Sequence, residues 1–116
     1  MIYSTDNSTL AVGIFGAQYG DEGKGKLVYD TIAHFATKFA SVVCVRFNGG
    51  GNAGHSIYIN GVLYDTHTIP SGIIHPQCVN ILGNGVVINP QSFFTELNKL
   101  CSKGVNPHNR LFISHA

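Results

Sequence analysis

The chain has 116 residues, of which 44% are hydrophobic and 11% are charged, so it can form one compact domain with a modest core. Seven lysines and arginines balance six acidic residues, which argues against binding nucleic acid or membranes through surface charge alone. Cys44, Cys78 and Cys101 form no CxxC pair, so we expect reduced core thiols in a cytoplasmic protein rather than a zinc site. The sequence also has no apolar stretch near the ~20 residues that cross a bilayer.

The first half of the chain predicts a strand, a helix and a second strand. Residues 1–9 are polar, and we predict a disordered tail there. The apolar run 10–17 predicts a buried strand. Apolar residues then recur on one helical stripe from 28 to 39, and the β-branched segment 41–47 predicts a second buried strand. We expect a right-handed crossover that makes these two strands parallel.

The second half predicts shorter elements. Asn60-Gly61 lies between apolar alternations and indicates a β-hairpin of residues 56–59 and 62–65. Two further short strands are expected at 79–82 and 86–88, with the glycine-rich residues 83–85 between them.

A second helix and a last strand complete the predicted fold. Asn89 is the expected N-cap and Pro90 the first residue of a helix that stops at Gly104, and the apolar run 111–114 predicts a strand that joins the sheet. The predicted fold class is α/β, with a mostly parallel sheet of P-loop-like topology, helices on its faces and a β-hairpin excursion. We expect residues 10–116 to be an incomplete part of a larger domain.

Two glycine-rich loops follow the carboxyl ends of the first two predicted strands, where open α/β sheets bind ligands. In the first loop, backbone N–H groups of residues 23–26 can hold phosphates, and Lys24 or Lys26 can supply positive charge. Asp21 would repel phosphates unless it binds Mg²⁺ or acts as a base. A strict P-loop interpretation is weak because Leu27 stands where that motif has Ser or Thr, and a plain glycine-rich turn remains the alternative.

The second loop, residues 48–56, brings three glycines, an amide and an imidazole beside the first. His55 could donate a proton or hydrogen bond to an oxygen that gains charge in phosphoryl transfer. Asp65 and His67 lie two residues apart and share one strand face, which favours a cross-strand polar pair over a metal site.

Four motifs in order carry a family resemblance: GAQYGDEGKGK (16–26), NGGGNAGH (48–55), LYDTH through IPSGI (63–73) and ILGNGVV (81–87). With them, the chain resembles the amino-terminal part of the adenylosuccinate synthetases from about residue 12 to residue 113. The resemblance implies a cytoplasmic homodimer that uses GTP to join IMP and L-aspartate through 6-phosphoryl-IMP, with release of GDP and phosphate. It also implies that Asp21 is the catalytic base at the purine ring nitrogen and that His55 is the general acid.

Ligand contacts are implied by the same resemblance. One Mg²⁺ is expected on the Asp21 carboxylate and the Gly54 carbonyl. The implied GTP contacts are Gly20, Asp21, Glu22, Gly23, Lys24, Gly25, Lys26, Gly54, His55 and Ser56. The implied IMP contacts are Asp21, Glu22, Gly23, Lys24, Asn52, Ala53, Gly54 and His55.

Some positions depart from the family pattern. Tyr19, Asn48 and Ser56 replace the usual Trp, Gln and Thr, and the segment 27–46 is several residues longer. Family members are several times longer than this chain, so we expect the 116 residues alone to be inactive and poorly soluble. The alternatives are a P-loop-type GTP-binding module, which would not bind IMP, and a non-catalytic remnant.

Overall fold

The computed structural model describes residues 2–4, 10–12, 24–51 and 54–115 of the chain. Strands, helices and one 3₁₀-helix alternate along these ranges. In chain order they are β1 (Ile2–Ser4), β2 (Leu10–Val12), α1 (Lys24–Ala36), β3 (Val42–Gly49), β4 (His55–Ile59), β5 (Val62–Thr66), the 3₁₀-helix Ser71–Ile74, β6 (Cys78–Val86), α2 (Pro90–Ser102) and β7 (Leu111–Ile113). The α/β class predicted from the sequence is confirmed.

A three-stranded parallel sheet forms the centre of the fold, with the strand order β3-β6-β7. Val45 of β3 aligns with Ile81 of β6, which aligns with Phe112 of β7. The predicted strand near the carboxyl end therefore does join the sheet. Because the strands are parallel, β3 and β6 end at the same edge, where Gly49 pairs with Val86.

Strand β6 differs from the sequence prediction of two short strands. It runs without a break through Gly83 and Gly85, while residues 87–89 lie outside any strand. The register with β3 shifts between Arg46 and Asn48, and a Cβ on Gly85 would collide there with the carbonyl oxygen of Phe47. Glycine permits the close backbone approach at this irregularity, so it continues the strand instead of ending it.

The main core lies between the sheet, α2 and the 3₁₀-helix. Its fully buried members are Ile69, Ile73, Leu82, Phe93 and Leu100. The predicted helix 89–104 is confirmed, since Asn89 caps α2 by accepting a hydrogen bond from the Ser92 N–H at 3.1 Å. Cys101, which was expected to be a core thiol, is exposed instead.

The predicted hairpin is confirmed as β4 and β5, which pair antiparallel around Asn60-Gly61. Both turn residues have positive φ, 51° and 80°, as a two-residue turn that follows the strand twist requires.

The amino-terminal strands differ from the expected arrangement. Within the described residues, β2 pairs antiparallel with β1, and not in parallel with β3. Ile2–Ser4 is thus a strand, although the sequence predicted a disordered tail over residues 1–9. Ile and Tyr favour strands, and β2 offers them a backbone partner. The other predicted strand residues, 13–17, lie outside the described ranges. None of the helices in those ranges has the length and apolar character needed to cross a membrane.

Candidate functional site

The described ends of the two glycine-rich motifs meet where α1 and β4 begin. Helix α1 starts at Lys24, at the end of the first loop, and β4 starts at His55, at the end of the second. A Cβ on Gly25 would lie 2.8 Å from the Cβ of His55 and 3.3 Å from Oγ of Ser71. Only glycine permits this approach, which puts His55 beside the amino-terminal end of α1, where the helix dipole favours an anion.

Lys26 lies on the exposed surface of α1. Its ammonium donates to both carboxylate oxygens of Asp30, one turn later, at 2.6 and 2.7 Å. Exposed pairs at this spacing contribute about 0.5 kcal/mol or less, so little free energy holds Lys26 away from a phosphate.

Arg46 connects the second loop to the chain after β5. Its guanidinium donates to the carbonyl oxygens of Gly50 at 2.7 Å and Asn48 at 3.3 Å, and also to the carbonyl oxygen of His67. Gly49 has a φ of 98°, and a Cβ there would approach Nη2 of Arg46 to 3.1 Å. The guanidinium therefore fixes the loop through two of its backbone carbonyl groups and connects it to the chain after β5 through a third.

Glu96, on α2, also holds the chain segment that follows β5, residues 67–69. This side chain is only 7% exposed. Its Oε2 accepts hydrogen bonds from the N–H groups of His67 at 3.0 Å and Ile69 at 2.8 Å, and its Oε1 accepts one from Thr68 at 2.9 Å. Three successive backbone donors thereby bind one buried carboxylate, which is a strong charge-assisted arrangement.

The held segment contacts the second loop with its side chains. A Cβ on Gly54 would lie 2.8 Å from Cε1 of His67, so the imidazole packs directly on the Gly54 backbone. Oγ1 of Thr68 would lie 3.2 Å from a Cβ on Gly51. The described parts of the loop on both sides of residues 52–53 thus rest on residues 67–68.

A cleft of about 1000 Å³ opens at the carboxyl edge of the parallel sheet. It is lined by Gly49–Gly51, by Asp65, His67 and Thr68, and by α2 residues that include Thr95, Glu96 and Lys99. Open α/β sheets commonly bind ligands at this edge.

Six of the predicted ligand-binding residues fall in the described ranges. These are Lys24, Gly25, Lys26, Gly54, His55 and Ser56. Gly25 and His55 meet, while the Ser56 hydroxyl donates to Oδ1 of Asp65 at 2.6 Å across the hairpin. This bond is the cross-strand polar pair predicted for Asp65, although its partner is Ser56. Gly20, Asp21, Glu22, Gly23, Asn52 and Ala53 lie outside the described residues.

Arg46 and Glu96 were not predicted as site residues, although each carries a signal that the sequence shows. Arg46 is the one charged residue in an otherwise apolar strand directly before a glycine run. Glu96 stands three residues after Phe93 and four before Leu100, on the buried stripe of α2. A single charged side chain on an apolar face must find hydrogen-bond partners inside the fold. Both residues could therefore have been predicted to hold neighbouring backbone segments through hydrogen bonds.

Comparison with known proteins identifies the family. Residues 13–116 match the family model described as adenylosuccinate synthetase. The chain belongs to this family. Adenylosuccinate synthetases of Candida glabrata and Phaeosphaeria nodorum are 53% and 50% identical to it over 102 and 101 residues, each covering 87% of this chain and 22% of the relative.

Two further synthetases extend the comparison. The enzyme of Schizosaccharomyces pombe is 50% identical over 111 residues, 96% of this chain and 24% of the relative. A solved structure of the fully ligated adenylosuccinate synthetase of Plasmodium falciparum superimposes with a TM-score of 0.65 at 38% identity, covering 84% of this chain and 21% of that one. The chain thus spans about a quarter or less of the length of these relatives.

Proposed function

We propose that this chain is the part of an adenylosuccinate synthetase that binds the phosphates of GTP and the purine ring of IMP, in purine nucleotide biosynthesis. The contact of Gly25 with His55 is the main support, because it joins the ends of the two family motifs at the amino-terminal end of α1. A γ-phosphate at that helix end would lie next to an imidazole that can donate to it. Family membership supports the same assignment.

The proposed reaction uses two groups of this chain. Asp21 takes the proton from the ring nitrogen of IMP, and the resulting O6 anion forms a bond to the γ-phosphorus while the bond to GDP breaks. His55 donates a hydrogen bond to the phosphoryl oxygens as charge builds up. The amine of L-aspartate then displaces phosphate from 6-phosphoryl-IMP, which gives adenylosuccinate.

The donors available in this chain fit a Mg²⁺ ion. Gly54 is exposed and lies just before the β4–β5 ladder, whose first pair is His55 with Thr66, so its carbonyl oxygen stands outside the ladder. Mg²⁺ is commonly held by one or two protein oxygens together with substrate phosphates. Within the described ranges no group of three His, Cys, Asp or Glu side chains could hold a metal by itself, which agrees with such a shared site. Asp21 and Gly54 would hold the ion, which would neutralise charge on the phosphates.

A chimera tests this function directly. Residues 13–115 of this chain replace the matching segment of the Schizosaccharomyces pombe synthetase, and phosphate release is measured with GTP, IMP and L-aspartate. We expect release that requires all three substrates and Mg²⁺, with a loss of at least about a hundredfold in the Asp21→Ala and His55→Ala variants.

Phe94→Ala serves as the control, because Phe94 is an exposed residue of α2 away from the loops. A folded, dimeric chimera that releases no phosphate would contradict the assignment. Release of phosphate from GTP without IMP would indicate the P-loop-type module instead.

A further inference from the structure

We infer that Glu96 is a positioning residue for the second glycine-rich loop, acting on residues 48–51 and 54–55 through the segment 67–69. The inference deepens the proposed function and rests on it for its catalytic consequence. The Glu96 carboxylate accepts three hydrogen bonds, all of them from backbone N–H groups of residues 67–69 and not from the loop itself. Its effect must pass through the segment that it holds.

The segment 67–69 needs three hydrogen-bond acceptors. His67, Thr68 and Ile69 present three consecutive N–H groups between β5 and the 3₁₀-helix, and among the described residues the β4–β5 ladder ends at the pair of His55 and Thr66. Thr68 and Ile69 are buried, so water cannot replace a missing acceptor there. A carboxylate has two oxygens and enough lone pairs for all three donors, whereas a carboxamide has a single acceptor oxygen.

The segment contacts the loop at three points. The His67 carbonyl accepts from Arg46, whose guanidinium also holds Asn48 and Gly50. Thr68 packs against Gly51, and the His67 imidazole packs on Gly54. A displacement of residues 67–68 therefore reaches both described sides of the loop, including the carbonyl of Gly54 and the start of the strand that carries His55.

These links differ in strength. The loop contacts residues 67–68 through packing and through neutral carbonyl groups around the half-buried guanidinium of Arg46. Glu96, which lies between the buried residues Phe93 and Leu100 on α2, supplies the charge-assisted hydrogen bonds that tie the segment to the helical layer, while Ile69 packs in the core with the same two residues. The position of the loop is thus set by a carboxylate on α2, which the family motifs do not include.

Hydrogen exchange in the 116-residue chain tests the positional part without any substrate. In the Glu96→Gln variant we expect amide exchange to accelerate roughly tenfold or more in residues 48–51 and 54–56 as well as in 67–69, with β6 unchanged. Asn98→Lys is the matched control, because it makes the same change of +1 in net charge at an exposed position of α2.

Two results of that experiment would overturn the inference. Equal acceleration throughout the molecule would mean that Glu96 only stabilises the fold. Acceleration confined to 67–69 would mean that the anchor does not reach the loop. His67→Ala provides a second test should Glu96→Gln not fold: it keeps the three backbone bonds, and we expect faster exchange at 54–56 with 67–69 protected. Unchanged exchange at 54–56 would contradict the packing link.

The chimera tests the catalytic part. With Glu96→Gln we expect kcat to fall by roughly tenfold to a hundredfold, as small misplacements of reacting groups produce, while the KM for L-aspartate changes less than threefold. An unchanged kcat would overturn the positioning role in an active chimera. An inactive unsubstituted chimera would instead count against the proposed function, and the exchange experiment would still decide the positional inference.

Discussion

At the scale of single residues, small and buried groups set the geometry of the candidate site. Gly25 permits α1 to approach β4, and Glu96 supplies acceptors for three backbone donors. Gly25 avoids a steric clash, and Glu96 prevents backbone donors from being left without an acceptor. Conservative substitutions at either position should therefore have large effects on stability or on the site.

Gly25→Ala separates helix propensity from packing. Alanine in a helix is favoured over glycine by about 1 kcal/mol, yet its Cβ would stand 2.8 Å from the Cβ of His55. We expect the clash to outweigh the propensity, with a net loss of about 1–3 kcal/mol in the free energy of unfolding measured in urea. Gly50→Ala is the control, because its Cβ would meet Val87 at an ordinary 3.5 Å. Greater stability of Gly25→Ala would show that α1 does not press on β4.

Burial also predicts the reactivity of the three cysteines. Burial, reinforced by neighbouring Cys44, raises the pKa of Cys78 from 9.0 to about 12, and burial raises the pKa of Cys44 as well. Since the thiolate is the nucleophile, about one Cys78 in ten thousand is reactive at pH 8. We expect iodoacetamide to label exposed Cys101 and to leave Cys44 and Cys78 unmodified until the chain is unfolded, as peptide mass spectrometry can measure. Equal labelling of all three in the native chain would contradict this.

At the scale of elements, local signals position the helix and the hairpin better than they set strand length. Asn89 and Pro90 begin α2 where the sequence predicted, and Asn60-Gly61 turns the hairpin. The glycine-rich residues 83–85 were predicted to separate two strands, but β6 continues through them. A glycine can mark either the end of a strand or a place where another backbone approaches closely, and only the packing of the neighbouring strand decides between these two outcomes.

The cap of α2 can be tested by one substitution. Removing the Asn89 side chain leaves the Ser92 N–H without its acceptor, and we expect Asn89→Ala to lower the free energy of unfolding by about 1 kcal/mol. Asn98→Ala, on the exposed face of the same helix, should change it by less than about 0.5 kcal/mol. The free energy of unfolding is measured in urea for both variants. An equal loss of this free energy in the two variants would rule out the cap as a source of stability.

At the scale of the whole molecule, one face of the parallel sheet remains apolar and exposed. Val43, Val45 and Phe47 alternate along β3 on this face and are each about half exposed, and Phe112 of β7 lies in the same row as Val45. The chain spans about a quarter or less of the length of its relatives, so a surface of this kind is expected on it. Contiguous apolar surface promotes association in water.

Self-association of the isolated chain follows from this face. We expect light scattering to show concentration-dependent association at neutral pH, and Val45→Lys to reduce it, because a charge at the centre of the face opposes burial. Val62→Lys, on the hairpin and away from the sheet, should leave association unchanged. Equal effects of both lysines would point to net charge as the cause.

The sequence by itself determined the α/β class, the hairpin, both helices and the family, because caps, turns and glycine-rich loops depend on residues close together in the chain. Tertiary structure alone decided that Leu10–Val12 pairs with Ile2–Ser4, that β6 continues through its glycines, and that Glu96 and Arg46 hold the second loop. Such features join residues that are far apart in the sequence, such as Glu96 and Thr68 at a separation of 28 positions. A strand edge or a buried carboxylate requires hydrogen-bond partners, and the packing of the whole chain determines which groups these partners are.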